Sequence, residues 1–166
     1  LLHPAGTVGQ RAAILCIHQH AGQYHLGKSE PAGLAGNPEQ FYALELARRG
    51  FITLAPDALC FEDRRDPRLP GRAFETFEFT RRVSQGSNLQ AKYVWDHQRA
   101  LDYLVSRDDV DADRLGCIGH SLGGQQTLFL TALDLRIRAA VSSCGFASLT
   151  TIVRDAWLRG QGLSIH

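Results

Sequence analysis

Long apolar runs and an excess of one charge are both missing from this sequence of 166 residues. No apolar stretch approaches the roughly 20 residues that a membrane-spanning helix needs. The 18 basic and 17 acidic residues give a net charge of +1 and are interspersed, which argues against nucleic acid or a membrane as a partner. Repeats and low-complexity segments are also missing. With 44% hydrophobic and 21% charged residues, the composition is typical of one globular domain.

Closely spaced cysteines are absent as well. Cys16, Cys60, Cys117 and Cys144 are far apart and form no C-x-x-C motif. Cys16 and Cys117 lie within apolar runs, where a free thiol behaves as a small hydrophobic side chain. We therefore expect buried, reduced thiols, which favours a cytoplasmic protein.

Apolar runs of strand length alternate with segments of helical length. The alternation predicts strands over residues 12–17, 51–55, 114–119 and 137–143, and helices over 38–49, 89–106 and 122–132. Continuous apolar strands are typical of a parallel sheet that is buried on both faces. The charged, proline-containing residues 57–86 are predicted to form a long loop or lid-like insertion near the site. At the carboxyl ends of the strands, residues 18–23, 57–60 and 119–123 should meet.

The most informative motif is Gly119-His-Ser-Leu-Gly123, a G-x-S-x-G sequence between a predicted strand and a predicted helix. In this context G-x-S-x-G indicates a nucleophile elbow, a sharp turn that raises a strained serine above the sheet edge. Glycines at both ends of the motif would let strand and helix cross closely. We predict that Ser121 is the nucleophile, with a positive φ, and that the Leu122 N–H donates a hydrogen bond to an oxyanion. The alternative is a glycine-rich turn without catalytic function.

The surroundings of the elbow extend this pattern. Residues 95–104, 110–124 and 132–141, together with Ile17-His-Gln-His-Ala-Gly-Gln23, resemble the dienelactone hydrolase-like and acetyl xylan esterase-like branch of the α/β-hydrolases. The resemblance implies a three-layer α/β/α core with the strand order second, first, elbow, fourth. It also implies hydrolysis of a small-molecule carboxylic ester through an acyl-serine intermediate, with no cofactor and no metal. By the same resemblance, His20 supplies the second oxyanion N–H, and Gln19 is its nearest rival.

The family also places an acid and a histidine after later strands, and here the sequence departs from the pattern. Asp155 is the candidate acid, and His166 follows the fourth strand in the right order but as a terminal residue. Asp134 precedes the fourth strand, at the wrong end of the sheet, and His97 and His120 are expected to be structural. His3 and His25 have no fixed relation to the elbow. We therefore expect residues 1–166 to be a partial catalytic domain, incomplete at both ends, whose triad partners lie beyond residue 166.

Two other functions remain open from the sequence. A zinc-dependent hydrolase is one, because His18 and His20 form an H-x-H motif at a strand end and His25 follows. A hydrolase fragment that binds an acyl or sugar ligand without turnover is the other. Arg64, Arg65 and their acidic neighbours are expected to form a solvated loop. Association of two copies through the edge of the fourth strand is also expected, because an unpaired edge invites pairing.

Overall fold

A parallel sheet lies at the centre of the protein. The structure is a computed structural model that describes residues 1–6, 9–148, 150, 151 and 154. Its strands are β1 (Arg11–Ile17), β2 (Ile52–Leu54), β3 (Val110–His120) and β4 (Ile137–Ser143). They run parallel in the order β2-β1-β3-β4. The predicted α/β class and central strand order are therefore confirmed.

Helices follow the strands. They are α1 (Tyr42–Arg48), α2 (Arg72–Ser84), α3 (Leu89–Val105) and α4 (Leu122–Leu133). Helices α1, α3 and α4 pack against the sheet, and α2 packs against α3. The predicted helix over 38–49 is divided, because a 3-10 turn over Pro38–Gln40 precedes α1. Asn37 and Asn88 each cap the segment that follows by accepting a backbone N–H, at 3.1 and 2.7 Å. None of the helices in the described part of the chain is long and apolar enough to cross a membrane.

Residues 57–86 do not form one long loop, because 13 of them form α2, and the lid-like insertion near the site stays a prediction. Two signals that would have revealed this helix are missing from the sequence. Gly71 precedes it without a side-chain cap, and the buried positions of the helix are Glu75 and Glu78 instead of apolar residues. A search for apolar residues at helical spacing therefore misses it.

The hydrophobic core has two parts. The larger part lies against the sheet and includes Leu15, Ile17 and Leu101. The smaller part lies beside the G-x-S-x-G turn and joins the segment after β2 to α3 and α4. Its buried members are Ala58, Cys60, Phe61, Leu89, Tyr93 and Leu122. Because Leu122 belongs to this second cluster, the turn is anchored by the segment that follows β2.

Glycines allow α4 to cross the ends of the strands at very short range. A Cβ on Gly119 would overlap the backbone of Gly123, and a Cβ on Gly123 would overlap the carbonyl of Ile17. Gly145, which follows β4, lies in the same way against Gly124. The obstructing atoms are backbone atoms, which cannot move aside as a flexible side chain would.

Replacing Gly123 with alanine should therefore destabilise the complete protein strongly. We expect Gly123→Ala to lower the free energy of unfolding by about 3 kcal/mol or more, because overpacking against a rigid neighbour is costly. Gly116→Ala in β3 is the control, since a Cβ there would meet its nearest atoms at 3.4 and 3.5 Å. Denaturant unfolding measures both values. Equal losses in the two variants would contradict the close crossing.

Candidate active site

Ser121 occupies a strained turn between β3 and α4. Its φ of 53° and ψ of −114° confirm the predicted positive φ. A non-glycine residue in such a conformation costs on the order of 1–3 kcal/mol and persists only where its surroundings hold it. Here the Ser121 N–H donates to the Ser143 carbonyl at 2.8 Å, and the Ser121 carbonyl accepts from the Gln125 N–H at 3.0 Å. The turn is thus fixed to β4 on one side and to α4 on the other.

The first residue of α4 is Leu122, whose N–H has no acceptor within the helix because it lies in the first turn. The Leu122 side chain is buried, so its backbone is held in place. A helix N-terminus also favours negative charge. The geometry is suited to the predicted role of the Leu122 N–H as an oxyanion donor.

His18 joins the end of β1 to the segment after β2. Its Nε2 accepts the Ala58 N–H at 3.0 Å, so the ring proton must be on Nδ1, which donates to the Gln19 carbonyl at 2.7 Å. The ring is buried, and the loss of solvation lowers the pKa of His18. His18 is therefore a neutral structural residue. Its bond to Ala58, together with the packing of Gly123 against the end of β1, confirms that the three predicted stretches meet.

His20 holds the next turn of the same loop. Its Nδ1 accepts the Gly22 N–H at 2.9 Å, so Nε2 carries the proton and donates to Glu75 at 3.1 Å. The Gln23 N–H closes the turn by donating to the His20 carbonyl at 2.9 Å. The side chain of His20 is thus engaged at both nitrogens. Its backbone N–H remains the predicted second oxyanion donor.

The Gln19 side chain binds a buried glutamate. Its amide donates to Glu30 at 2.9 Å, and Glu30 also accepts the Asn37 N–H at 3.1 Å. Glu30 is buried, so these contacts satisfy a carboxylate that would otherwise be costly to bury. Gln19 therefore ties the loop to the start of the α1 region.

The H-x-H motif does not form a zinc site in this conformation. Each ring nitrogen of His18 and His20 already takes part in a hydrogen bond to backbone or to Glu75. A metal would need a free imidazole lone pair from each. His25 is exposed. Zinc-dependent hydrolysis has no support from these residues.

One group of carboxylates could hold a cation, and a lysine occupies its centre. Oxygens of Asp57, Glu62 and Asp63 lie within 4.8 Å of one another. The Lys28 ammonium donates to these three residues at 2.7, 2.9 and 2.6 Å. Lys28 thus supplies the positive charge that the cluster requires. It also fastens the loop after β1 to the segment after β2.

The charged residues before α2 are only in part the solvated loop that was predicted. Arg64 is one-third exposed and donates to Asp96 of α3 at 2.8 Å and to the Asp57 carbonyl at 3.1 Å. Glu62 is 15% exposed and accepts the N–H groups of Gly27 and Ser29, each at 2.9 Å. Only part of the segment, including Asp63 and Arg65, is exposed. These side chains hold loops together and do not face a substrate as a free cluster.

The remaining histidines are structural or lie away from the elbow. His97 is buried against Gln126, and desolvation lowers its pKa to about 4. His120 and the Ser143 hydroxyl lie 2.9 Å apart, and His3 pairs with Asp109 at 3.4 Å. Within the described ranges, no histidine forms a hydrogen bond with the Ser121 hydroxyl.

Two aspartates, Asp134 and Asp155, were considered as the catalytic acid. Asp134 binds Arg136 at the start of β4, which confirms that it is at the end of the sheet opposite the elbow. Asp155 and His166 fall outside the described residues, so their proposed roles are not tested. No local sequence pattern pointed to Glu75 or Lys28, although Glu75 binds the loop after β1 and Lys28 belongs to it. Their contacts join residues 29 to 55 positions apart, which no local pattern reveals.

One expectation for the cysteines is also corrected. Cys16, Cys60 and Cys117 are buried, and burial raises the pKa of Cys60 and of Cys117 to about 12. Cys144 is exposed, because it follows β4 at the sheet edge. All four thiols are free.

The sheet order and the strained serine define an α/β-hydrolase fold, and comparisons with known proteins agree. The profile of the prolyl oligopeptidase family matches residues 69–162, more than half of the chain. The chain therefore belongs to the prolyl oligopeptidase family. YtaP of Bacillus subtilis (strain 168), named as a candidate hydrolase, is 38% identical over 96% of the chain. The chain spans about half of that relative, 52% of its length.

Solved structures show the same fold. A candidate acetyl xylan esterase from Bacteroides fragilis matches with a TM-score of 0.71 and 20% identity, covering 83% of this chain and 38% of its own. A candidate dienelactone hydrolase from Klebsiella pneumoniae matches with a TM-score of 0.58 and 19% identity, covering 89% and 55%. The resemblance stated from the sequence is thereby confirmed at the level of the fold.

The Glu62 contacts should make stability depend on pH. Burial alone would raise the pKa of Glu62, but hydrogen bonds from Ser29 and Lys28 outweigh it and lower the pKa from 4.5 to about 2. A lowered pKa in the folded state stabilises the protein above pH 4.5, and this contribution is lost as the pH falls toward 2. We expect the difference in free energy of unfolding between wild type and Glu62→Gln to shrink over that range.

Glu45→Gln is the control, since Glu45 is an exposed acid of α1 that pairs with Arg48 of the same helix. Urea unfolding of the complete protein at several pH values measures the differences. A Glu62→Gln difference that stays constant from pH 5 downward would contradict the assignment.

Proposed function

We propose that the protein is a serine hydrolase that cleaves a carboxylic ester through an acyl-serine intermediate on Ser121. The observation that carries the proposal is the strained Ser121 turn at the carboxyl edge of the sheet, at the N-terminus of α4. The end of β1, from which the loop over residues 18–23 starts, lies against Gly123. Family membership and the similarity to esterase folds support the same class.

The reaction would proceed by acyl transfer. The Ser121 oxygen attacks the ester carbonyl carbon and its proton passes to a base. The tetrahedral oxyanion accepts hydrogen bonds from the N–H groups of Leu122 and His20, each worth about 3 kcal/mol in the transition state. The carbonyl then re-forms, the alcohol leaves with the proton, and water hydrolyses the acyl-serine by the same route in reverse.

The base and its acid are expected beyond residue 166, and Asp155, which lies outside the described residues, is the candidate acid within this sequence. Serine without a base is a weak nucleophile near neutral pH, so the complete protein must supply one. Backbone amides and side chains perform every step of this route, and a small-molecule ester is the proposed ligand. Neither a metal nor a cofactor is required.

A second candidate substrate is a peptide bond. The family to which the chain belongs is named for an oligopeptidase. The same serine and the same oxyanion donors would serve, because amide and ester hydrolysis share the tetrahedral intermediate. Parallel assays with p-nitrophenyl acetate and a prolyl p-nitroanilide peptide separate the two, and we expect the ester to be cleaved faster.

Replacing Ser121 with alanine should abolish turnover. We expect kcat/KM of the complete protein for p-nitrophenyl acetate to fall at least about 10³-fold, because the acyl-enzyme can no longer form. Ser106→Ala is the control, since Ser106 caps the C-terminus of α3 and its hydroxyl donates to the Tyr103 carbonyl of the same helix at 2.8 Å. Its activity should match wild type. Full activity in Ser121→Ala would overturn the proposal, and ligand binding by a wild-type protein without turnover would favour the non-catalytic alternative.

A further inference from the structure

A buried carboxylate of α2 holds the loop that carries the proposed second oxyanion donor. Glu75 lies in the first turn of α2, and its side chain is 9% exposed. Its Oε1 is 3.1 Å from His20 Nε2, and its Oε2 accepts the Tyr24 hydroxyl at 2.6 Å. One carboxylate thus binds two side chains of the loop after β1, from more than 50 positions away in sequence.

The proton positions fix the direction of these contacts. Because His20 Nδ1 accepts the Gly22 N–H, the ring proton on Nε2 must point toward Glu75. The imidazole therefore connects the carboxylate to the backbone of the turn. That turn contains Ala21 with a φ of 47°, a left-handed conformation that a residue with a Cβ adopts only when held.

Aromatic packing encloses the same group. Phe61 lies with its ring centre 5.0 Å from His20 and 5.1 Å from Tyr24, stacked on the tyrosine. His20 and Tyr24 contact each other edge to face, with ring centres 5.0 Å apart. Water is thereby restricted around the carboxylate, which strengthens its hydrogen bonds and makes any loss of a partner costly.

The other buried acid of α2 behaves differently. Glu78, one turn further along, binds Arg81 at 2.7 Å and Arg82 at 3.1 Å, both on its own helix. Measured over the whole residue, the exposed fraction of Glu78 is 6% and that of Glu75 is 7%. An acid whose purpose is to stabilise α2 has local partners of this kind. Glu75 instead accepts hydrogen bonds from two side chains of the loop, those of His20 and Tyr24.

We propose that Glu75 is a positioning residue, which acts through the His20 ring to aim the His20 backbone N–H at the oxyanion. The inference rests on the proposed function, since it assigns a task to a residue outside the reacting groups. It also gives α2 a role in the reaction, because the helix brings this carboxylate to the loop.

Glu75→Gln tests the proposal in the complete protein. The carboxylate accepts from both His20 and Tyr24 and carries a negative charge, whereas the neutral amide accepts at its oxygen and donates at its nitrogen. In Glu75→Gln the two contacts therefore lose their charge, and one of them must reverse direction. We expect kcat for p-nitrophenyl acetate to fall about tenfold while KM changes less than about twofold. The expected tenfold loss is smaller than the roughly 10²–10³-fold loss that follows removal of an oxyanion donor, because the His20 N–H is still present but less well aimed. Glu78→Gln is the matched control and should keep kcat within about twofold of wild type.

His20→Ala breaks the same contact from the other side and keeps the backbone N–H, so it should lower kcat to a similar extent. The double variant should show no further loss, because both changes remove one interaction. His20→Ala also carries the test if Glu75→Gln does not fold. A kcat for Glu75→Gln no lower than that of Glu78→Gln, or fully additive losses in the double variant, would overturn the proposal.

Amide hydrogen exchange separates this inference from the proposed function. The Gly22 N–H, which binds His20 Nδ1, should exchange faster in Glu75→Gln than in Glu78→Gln or wild type. Exchange that is unchanged overturns the inference, whether or not the protein cleaves esters. Faster exchange in a protein without esterase activity would support the role of Glu75 in holding the loop through His20. It would also reject the proposed ester hydrolysis.

Discussion

The whole candidate site depends on how closely α4 crosses the ends of the strands. Gly119 and Gly123 bring the helix against the carbonyl groups that end β1, and Gly124 brings it against Gly145 after β4. Because backbone meets backbone at this point, the turn between β3 and α4 has very little freedom. Ser121 is held there with a positive φ, and the N-terminus of α4 is directed toward the space above it. The chemistry we propose is a consequence of that crossing.

Polar contacts over long sequence distances complete the site. His18 joins the loop after β1 to Ala58, Lys28 joins it to Asp57 and Glu62, and Glu75 joins it to α2. Each of these side chains satisfies a buried or half-buried polar group, so removing any one of them leaves another unpaired. The loop is therefore rigid through its partners, although it contains neither a helix nor a strand. Such rigidity is what an oxyanion donor on a loop requires.

The parts that the sequence predicts well are those with local signals. Buried strands appear as apolar runs, and the elbow appears as glycines around a serine, so the strands and the strained Ser121 could be predicted. The order of the strands in the sheet was expected from the resemblance to the α/β-hydrolases. The helix α2 could not, because its buried positions are glutamates, and the partners that Glu75 binds on the loop after β1 are distant in sequence. The lysine at the centre of the Asp57 cluster was missed for the same reason. Cys144 was misjudged because burial at a sheet edge depends on neighbours that a local apolar run does not reveal.

The central claim is that Ser121 forms a covalent acyl intermediate. The most direct measurement is mass spectrometry of the complete protein quenched in acid during turnover of p-nitrophenyl acetate, followed by peptide mapping. The account predicts one acetyl group on the peptide that contains Ser121, and none in protein quenched before substrate is added. Acetylation of another residue alone, or fast turnover without any acylated serine in rapid-quench samples, would contradict it.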